Sequence, residues 1–187
     1  AGDAAGGSAG VITLKSLGST ESITLTGALT ALKGTGGTGT DAAVTLNGDR
    51  MSLGGGSIDA GAATVTLTPR TGSQTIAIDL GGADGVNTLG LTDAELDTIT
   101  AGTLRIGDAN SGSITISAAI APSGTSTLSL QTGAAIIDGN ATGADLTETS
   151  LALRAVSGIG SSDALDTAVT TWRLATPLPT TYRSAIP

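Results

Sequence analysis

Two carboxylates come nearest, by type and spacing, to an enzymatic arrangement in this sequence. Asp59 follows Ile58, and Asp79 follows Ile78 twenty residues later. If each lies at the same point of a repeated strand, their like charges would raise one pKa, as in the carboxylate pairs that cleave glycosidic bonds. Sugar binding usually also needs aromatic side chains, but Trp172 and Tyr182 stand near the end of the sequence. Polysaccharide cleavage is therefore the weaker alternative, and we predict no catalytic residue and no enzyme.

Composition removes most other chemistry. The 187 residues include no His and no Cys, so there is no imidazole base, thiolate nucleophile or thiolate metal ligand. A formal net charge of −8 and 1% aromatic residues oppose binding to nucleic acid. The sequence has no apolar run of 18 residues and no secretory signal pattern at its start, so we expect no membrane insertion.

Three glycine-rich motifs imitate functional sites. Residues 6–10 fit a nucleophile elbow, which fails without a histidine base. Residues 34–39 fit a phosphate-binding loop, but they lead into a strand pattern rather than a helix. Residues 81–89 loosely match one calcium-binding nonapeptide, and a single copy cannot supply the 6–8 oxygens that calcium needs. We predict no cofactor-binding residue, no metal ligand and no cofactor.

The elements that would position these residues are short strands. Residues 23–26, 44–47 and 65–68 share an apolar–Thr–apolar pattern at intervals of 21, and similar alternations continue as far as 151–153. Such alternation is typical of strands with one buried face, and the clusters of Gly, Asn, Asp and Ser between them indicate turns. A core without Phe must be narrow. The sequence therefore predicts an all-β fold, a parallel β-helix (β-solenoid) of roughly 21-residue coils.

That fold predicts which side chains point inward. We expect these to be Ile23, Leu25, Val44, Leu46, Val65, Leu67, Ile114, Ile116, Leu128, Leu130, Leu151 and Leu153. A short helical insertion is predicted near 92–99, where Thr92 and Glu95 are spaced as a capping box. One solenoid domain is predicted over 1–170, followed by an irregular tail over 171–187.

Part of the chain also resembles a known family. The segments TDAELDTITAGTLRIG, ITIS, TLSLQTGAAI and SGIGSSDALDTAV follow one another between residues 92 and 169. Residues 87–170 thereby resemble the shaft repeats of filamentous haemagglutinin-like adhesins, large proteins secreted by Gram-negative bacteria through two-partner systems. The resemblance implies a right-handed β-helix, a partner outer-membrane transporter, an extracellular or cell-surface location, and service as a rod.

We therefore expect a non-catalytic stalk or fibre-forming segment of a secreted surface adhesin. Its expected partners are neighbouring coils or further copies stacked end to end, because the last coil of a solenoid carries unpaired backbone groups. The main alternative is ice binding by a flat threonine array, in which Thr24, Thr45 and Thr66 would stack, with Thr26 and Thr68 flanking Asn47.

Overall fold

The protein is almost entirely β-structure, and its strands pair in parallel sheets. The computed structural model describes residues 7–18, 20–35, 38–70 and 75–174, except the side chains of Trp172 and Leu174. Within these residues the chain forms short strands, numbered β1 to β16 in chain order, and one helical turn, α1. Short strands suit this sequence because turn-forming residues interrupt every apolar alternation.

The largest sheet, which we call the main sheet, contains seven parallel strands that neighbour one another in their order along the chain. They are β1 (Ile12–Lys15), β4 (Val44–Asn47), β7 (Thr64–Thr68), β11 (Thr103–Ile106), β13 (Thr127–Gln131), β15 (Leu146–Arg154) and β16 (Thr167–Leu174). Parallel neighbours need a long connection between them. Here every connection except the one from β15 to β16 passes through a smaller sheet before the chain returns to the main one.

Three smaller sheets complete the fold. One contains β9 (Thr88–Leu91), β8 (Ala77–Leu80), β12 (Ile114–Ile116) and β14 (Ile136–Asp138). A second contains β3 (Ala28–Thr30), β6 (Ser57–Asp59) and β10 (Ile99–Thr100), and a third pairs β2 (Ile23–Thr24) with β5 (Met51–Ser52). Between main-sheet strands, the chain visits the third and second sheets first and, from β8 onward, mainly the sheet that contains β8.

Aligned aliphatic side chains form the core. In the main sheet, the paired positions Val44, Val65, Leu104 and Leu128 are fully buried, and so are the positions two residues further along each strand. Burying each such side chain contributes about 1.5–3 kcal/mol relative to leaving it in water. Eleven of the twelve predicted inward residues are buried, and the exception, Ile23, is half-buried against the core.

The predicted 21-residue register is correct for one pair of strands and wrong for another. Val44 pairs with Val65, as predicted, but the strand beside Val44 on the other side begins with Ile12, and Ile23 pairs with Met51. Residues 12–15 and 23–26 carry the same apolar–Thr–apolar pattern. Alternation fixes which face of a strand is buried, but it does not fix which strand lies alongside.

The predicted helix is present but shorter than expected. Helix α1 comprises Asp93–Leu96, and Ile99 already belongs to β10. The Glu95 carboxylate reaches back to the Thr92 N–H (3.0 Å) and Thr92 hydroxyl (2.8 Å), as half of a capping box does. The predicted tail also begins later than residue 170, because β16 runs to Leu174. Residues 175–187 lie outside the described part.

The connection from β8 to β9 departs from the general pattern. These two strands are parallel neighbours, yet only residues 81–87 join them. The return segment lies against the outer side of β9, where a Cβ on Gly90 would overlap the Ala83 carbonyl carbon. Glycine at position 90 is therefore required for the two pieces of backbone to approach each other.

Candidate functional site

The outer face of the main sheet is the most extensive regular surface in the described part. We define this outer face by the three side-chain ladders that alternate with the buried ones. They are Thr64, Thr103, Thr127, Ser150 and Thr171; then Thr13, Thr45, Thr66, Arg105, Ser129, Ala152 and Arg173; then Lys15, Asn47, Thr68, Gln131 and Arg154. Apart from Ala152, hydroxyl, amide and basic groups occupy these positions, and no carboxylate does. The one carboxylate on a main-sheet strand, Glu148 of β15, lies two residues before Ser150 and accepts the Thr125 hydroxyl.

Four basic side chains on this face are exposed: Lys15, Arg105, Arg154 and Arg173. Among the described residues, the one ion pair is elsewhere, between Arg70 and the buried Asp49 at 3.2 Å. The outer face therefore carries a net positive charge on a chain whose overall charge is −8. Sequence reasoning missed this separation because a total charge contains no information about where the charges lie.

The predicted threonine stack exists in altered form. Thr45 does pair with Thr66, but the next member is Thr13, since Thr24 pairs with Ser52 in a different sheet. Asn47 does lie beside Thr68, and its amide donates to the Thr68 hydroxyl at 3.0 Å. Beyond Thr66 the ladder continues as Arg105, so three threonines stand in an unbroken row.

Asp59 and Asp79, whose pairing was the condition for the weaker enzymatic alternative, do not form a carboxylate pair. Asp59 lies in β6, next to Thr30 and Thr100, whereas Asp79 lies in β8, next to Thr115 and Gly90, in a separate sheet. Asp79 accepts a hydrogen bond from the Ser117 hydroxyl at 2.5 Å, and Asp59 accepts one from the Gly61 N–H at 3.0 Å. The pairing does not arise, because a shared Ile–Asp dipeptide does not place two residues in one sheet.

Most acidic side chains instead accept hydrogen bonds from backbone N–H groups in the turns. The Asp41 carboxylate accepts hydrogen bonds from the Lys33 and Ala62 N–H groups, and these bonds lower the pKa of its carboxyl. The same use recurs at Glu21, Asp49, Asp59, Asp84, Asp93, Glu95, Asp97, Asp108, Asp138, Asp145, Glu148 and Asp163. The acidic composition is thus largely explained by turn construction.

Two of these carboxylates lie between β5 and β9. Asp84 accepts from the Met51 N–H (3.0 Å) and the Gly90 N–H (2.9 Å). Glu95 likewise accepts from the Leu53 N–H (3.1 Å) and the Thr92 N–H (3.0 Å). Burial raises the pKa of Asp84, the two N–H groups oppose that rise, and the charge of Glu95 adds to it.

This β5–β9 junction also accounts for the calcium-like motif. Asp84 is the acidic residue of residues 81–89, and both of its oxygens are already engaged by backbone N–H groups. Among the residues described, no three acidic side chains come close enough together to hold a metal ion. The motif is explained as the return segment that crosses β9.

Asp145 is the most unusual titratable group. Its side chain is fully buried; Oδ2 accepts from the Asp166 N–H at 2.7 Å, and Oδ1 has no hydrogen-bond partner among the described residues. Burial raises the pKa of Asp145 to about 6; the charges of Asp138 and Asp166 act in the same direction, while the Asp166 N–H and the Asn140 side chain oppose them. Nothing in the local sequence GADL distinguished this aspartate from the others.

The remaining motifs gain no support as sites. The strand that follows 34–39 is β4, so the helix that would complete a phosphate-binding loop is replaced by a strand. Positions 36 and 37 of that motif, and position 6 of the motif at 6–10, lie outside the described residues. No helix in the described part has the length and apolar character that crossing a membrane requires.

Three comparisons were made, with models of protein families, with curated proteins and with solved structures. None of them found a match to this chain.

Proposed function

We propose that this chain is a right-handed parallel β-helix that serves as a non-catalytic stalk or fibre-forming segment of a secreted bacterial surface adhesin. One observation carries the proposal: seven main-sheet strands neighbour one another in chain order, and apolar residues pair with apolar residues at the inward positions. Coils that stack on one another produce that pattern directly.

The use of the polar side chains supports a structural role. Most of the carboxylates that could take part in acid–base chemistry accept backbone N–H groups within turns or between strands. Asp59 and Asp79, the nearest approach to a catalytic pair, belong to different sheets. Polar side chains used in this way suit a rod that carries binding regions. The resemblance of residues 87–170 to adhesin shafts supports the same role.

Stacking on further coils follows from the edges of the main sheet. In the described residues, β1 and β16 are its outermost strands, and each pairs on one side. On the β4 side, the Ile12 N–H donates to the Ala43 carbonyl, just before β4, and the Ser16 N–H donates to the Asn47 carbonyl. The intervening N–H groups of Thr13 and Lys15 point toward the open side, because alternate residues of a strand bond to opposite neighbours. Such an edge is a template for another strand.

The experiment places proline at this edge. In Thr13→Pro the bonds from β1 to β4 are kept, while the outward N–H that a stacked strand would use is removed. Analytical ultracentrifugation and electron microscopy should show concentration-dependent end-to-end assembly of the original chain. Thr13→Pro should weaken assembly at least tenfold, and the matched variant Thr13→Ala, which keeps the N–H, should assemble normally.

Two results would contradict the stalk. The first is a compact particle by small-angle scattering, since stacked coils must form a rod. The second is a monomer at all concentrations in which both outer strands are covered by the chain's own residues. The neighbouring coding sequence offers an independent check: the proposal expects further coils in the same reading frame, beside a gene for an outer-membrane transporter.

Ice binding is the second candidate, favoured by the row Thr13, Thr45 and Thr66 on the outer face. Replacing the central Thr45 with Tyr would interrupt the row. Thermal hysteresis that is present in the original chain and lost in Thr45→Tyr would support this function over the stalk.

A further inference from the structure

The outer face of the main sheet differs in charge from the rest of the chain. Among the described residues it holds four of the seven Lys and Arg residues and no Asp or Glu, which leaves three basic residues against fifteen acidic ones elsewhere in that part. More than half of the positive charge of the described residues is thus gathered on a surface whose other side chains are mostly hydroxyls.

The basic groups form a row that runs across the strands. Arg105 and Arg173 occupy one ladder, three strand spacings or roughly 14 Å apart. Arg154 lies in the adjoining ladder on β15, next to β16. Lys15 on β1 is six spacings from Arg173, so the row extends over roughly 29 Å. All four side chains are exposed and make no ion pair with a described residue.

The outer face has no aromatic or large aliphatic side chain in its three ladders, and this narrows the class of partner that it can bind. Stable protein interfaces use aromatic or large aliphatic residues at their centre, and single-stranded nucleic acid uses aromatic residues for base stacking. Apart from Ala152, the outer face holds polar or charged side chains only. A guanidinium group binds sulfate or carboxylate through two parallel hydrogen bonds, and threonine hydroxyls both donate to and accept from sugar hydroxyls.

We propose that the outer face binds a linear acidic polysaccharide, whose sulfate or carboxylate groups lie along the row formed by Lys15, Arg105, Arg154 and Arg173. The overall charge of −8 does not prevent this, because interactions between exposed charges fade within about 8–10 Å in physiological salt. This binding goes beyond the stalk function and does not depend on it.

Binding is best measured with probes that differ in charge alone. Isothermal titration calorimetry would compare dextran sulfate with uncharged dextran, which shares its backbone, and polygalacturonate would test carboxylate in place of sulfate. The face variant is Arg105→Gln with Arg154→Gln. The control variant is Lys33→Gln with Arg50→Gln, which makes the same charge change away from the outer face.

We expect the original chain to bind one or both acidic glycans, more weakly as salt increases, and to ignore dextran. The face variant should raise the Kd at least tenfold, and the control should change it less than twofold. Equal losses in the two variants would mean that net charge alone acts, and would overturn the proposal. So would a failure to bind either acidic glycan, tighter binding to single-stranded DNA, or salt-sensitive self-association that the face variant abolishes.

Discussion

Two pairs of neighbouring strands are held together by different groups. One pair is β7 and β11 in the main sheet, and the other is β5 and β9 at the β5–β9 junction. β7 and β11 pair in register through their own backbones. Between β5 and β9, the Asp84 carboxylate accepts one N–H group from each strand. The Glu95 carboxylate accepts one N–H group from the residue that follows each strand. A carboxylate links two segments in the same way at Asp145, which accepts the N–H of Asp166, the residue just before β16.

The comparison shows that the fold uses two kinds of join with different sensitivities. A backbone pair has no titratable group, so its strength comes from burial and geometry. A carboxylate that links two strands accepts N–H groups that have no carbonyl opposite them. Its charge is then partly removed from water, which is unfavourable for the ionised form. The first kind should respond to changes in core volume, and the second to pH and to loss of a single side chain.

The largest effect is expected in the main sheet. Leu67 is fully buried between Leu46 and Ile106, so Leu67→Ala should leave a cavity and reduce the free energy of unfolding by about 2–5 kcal/mol. Thr66→Ala, one position away on the outer face, should change it by less than about 0.5 kcal/mol. Denaturant unfolding monitored by circular dichroism measures both. Equal losses in the two variants would contradict the assignment of inner and outer faces.

The next effect concerns Asp145. Its pKa is raised from 3.8 to about 6 in the folded chain, so the stability that its protonated form provides is complete below pH 3.8 and lost as pH rises through 6. Asp145→Asn should therefore gain up to about 3 kcal/mol relative to the original chain at pH 7 and nothing at pH 3.5. Denaturant unfolding across this range gives the difference.

The exposed Asp163→Asn serves as the matched control, because it makes the same charge change at a carboxylate that bonds to the adjacent Ala164 N–H near the surface. The stability difference between the two variants should be present at pH 7 and absent at pH 3.5. If Asp145→Asn parallels Asp163→Asn at every pH, the buried carboxylate does not carry the destabilising charge that its surroundings indicate.

The smallest effect is expected at the β5–β9 junction. Glu95→Ala removes the acceptor for the Leu53 and Thr92 N–H groups, which should cost about 1–3 kcal/mol. Hydrogen exchange should accelerate at Leu53 and Thr92 but not at Leu67 in the main sheet, which separates a local opening from general unfolding. Uniform acceleration at all three amides would show that the junction is not an independent join.

Several features were predictable because they depend on local pattern. Alternating apolar residues identified the buried positions of Val44, Val65 and Leu128, and the Thr92–Glu95 spacing identified the helical turn. The Ile12–Val44 register was not predictable, because residues 12–15 and 23–26 offer the same pattern to a neighbouring strand. The separation of Asp59 and Asp79 into two sheets was not predictable for the same reason, since dipeptide similarity does not specify a sheet.

The sequence by itself determined that the chain forms short, one-side-buried strands around a narrow aliphatic core, because side-chain alternation and turn residues act over a few neighbouring positions. Only the tertiary structure decided which strands pair, that Asp84 and Glu95 lie between β5 and β9, and that four basic residues share one face. Those outcomes depend on which of several strands with the same side-chain pattern become neighbours, and this is determined by the packing of the whole chain.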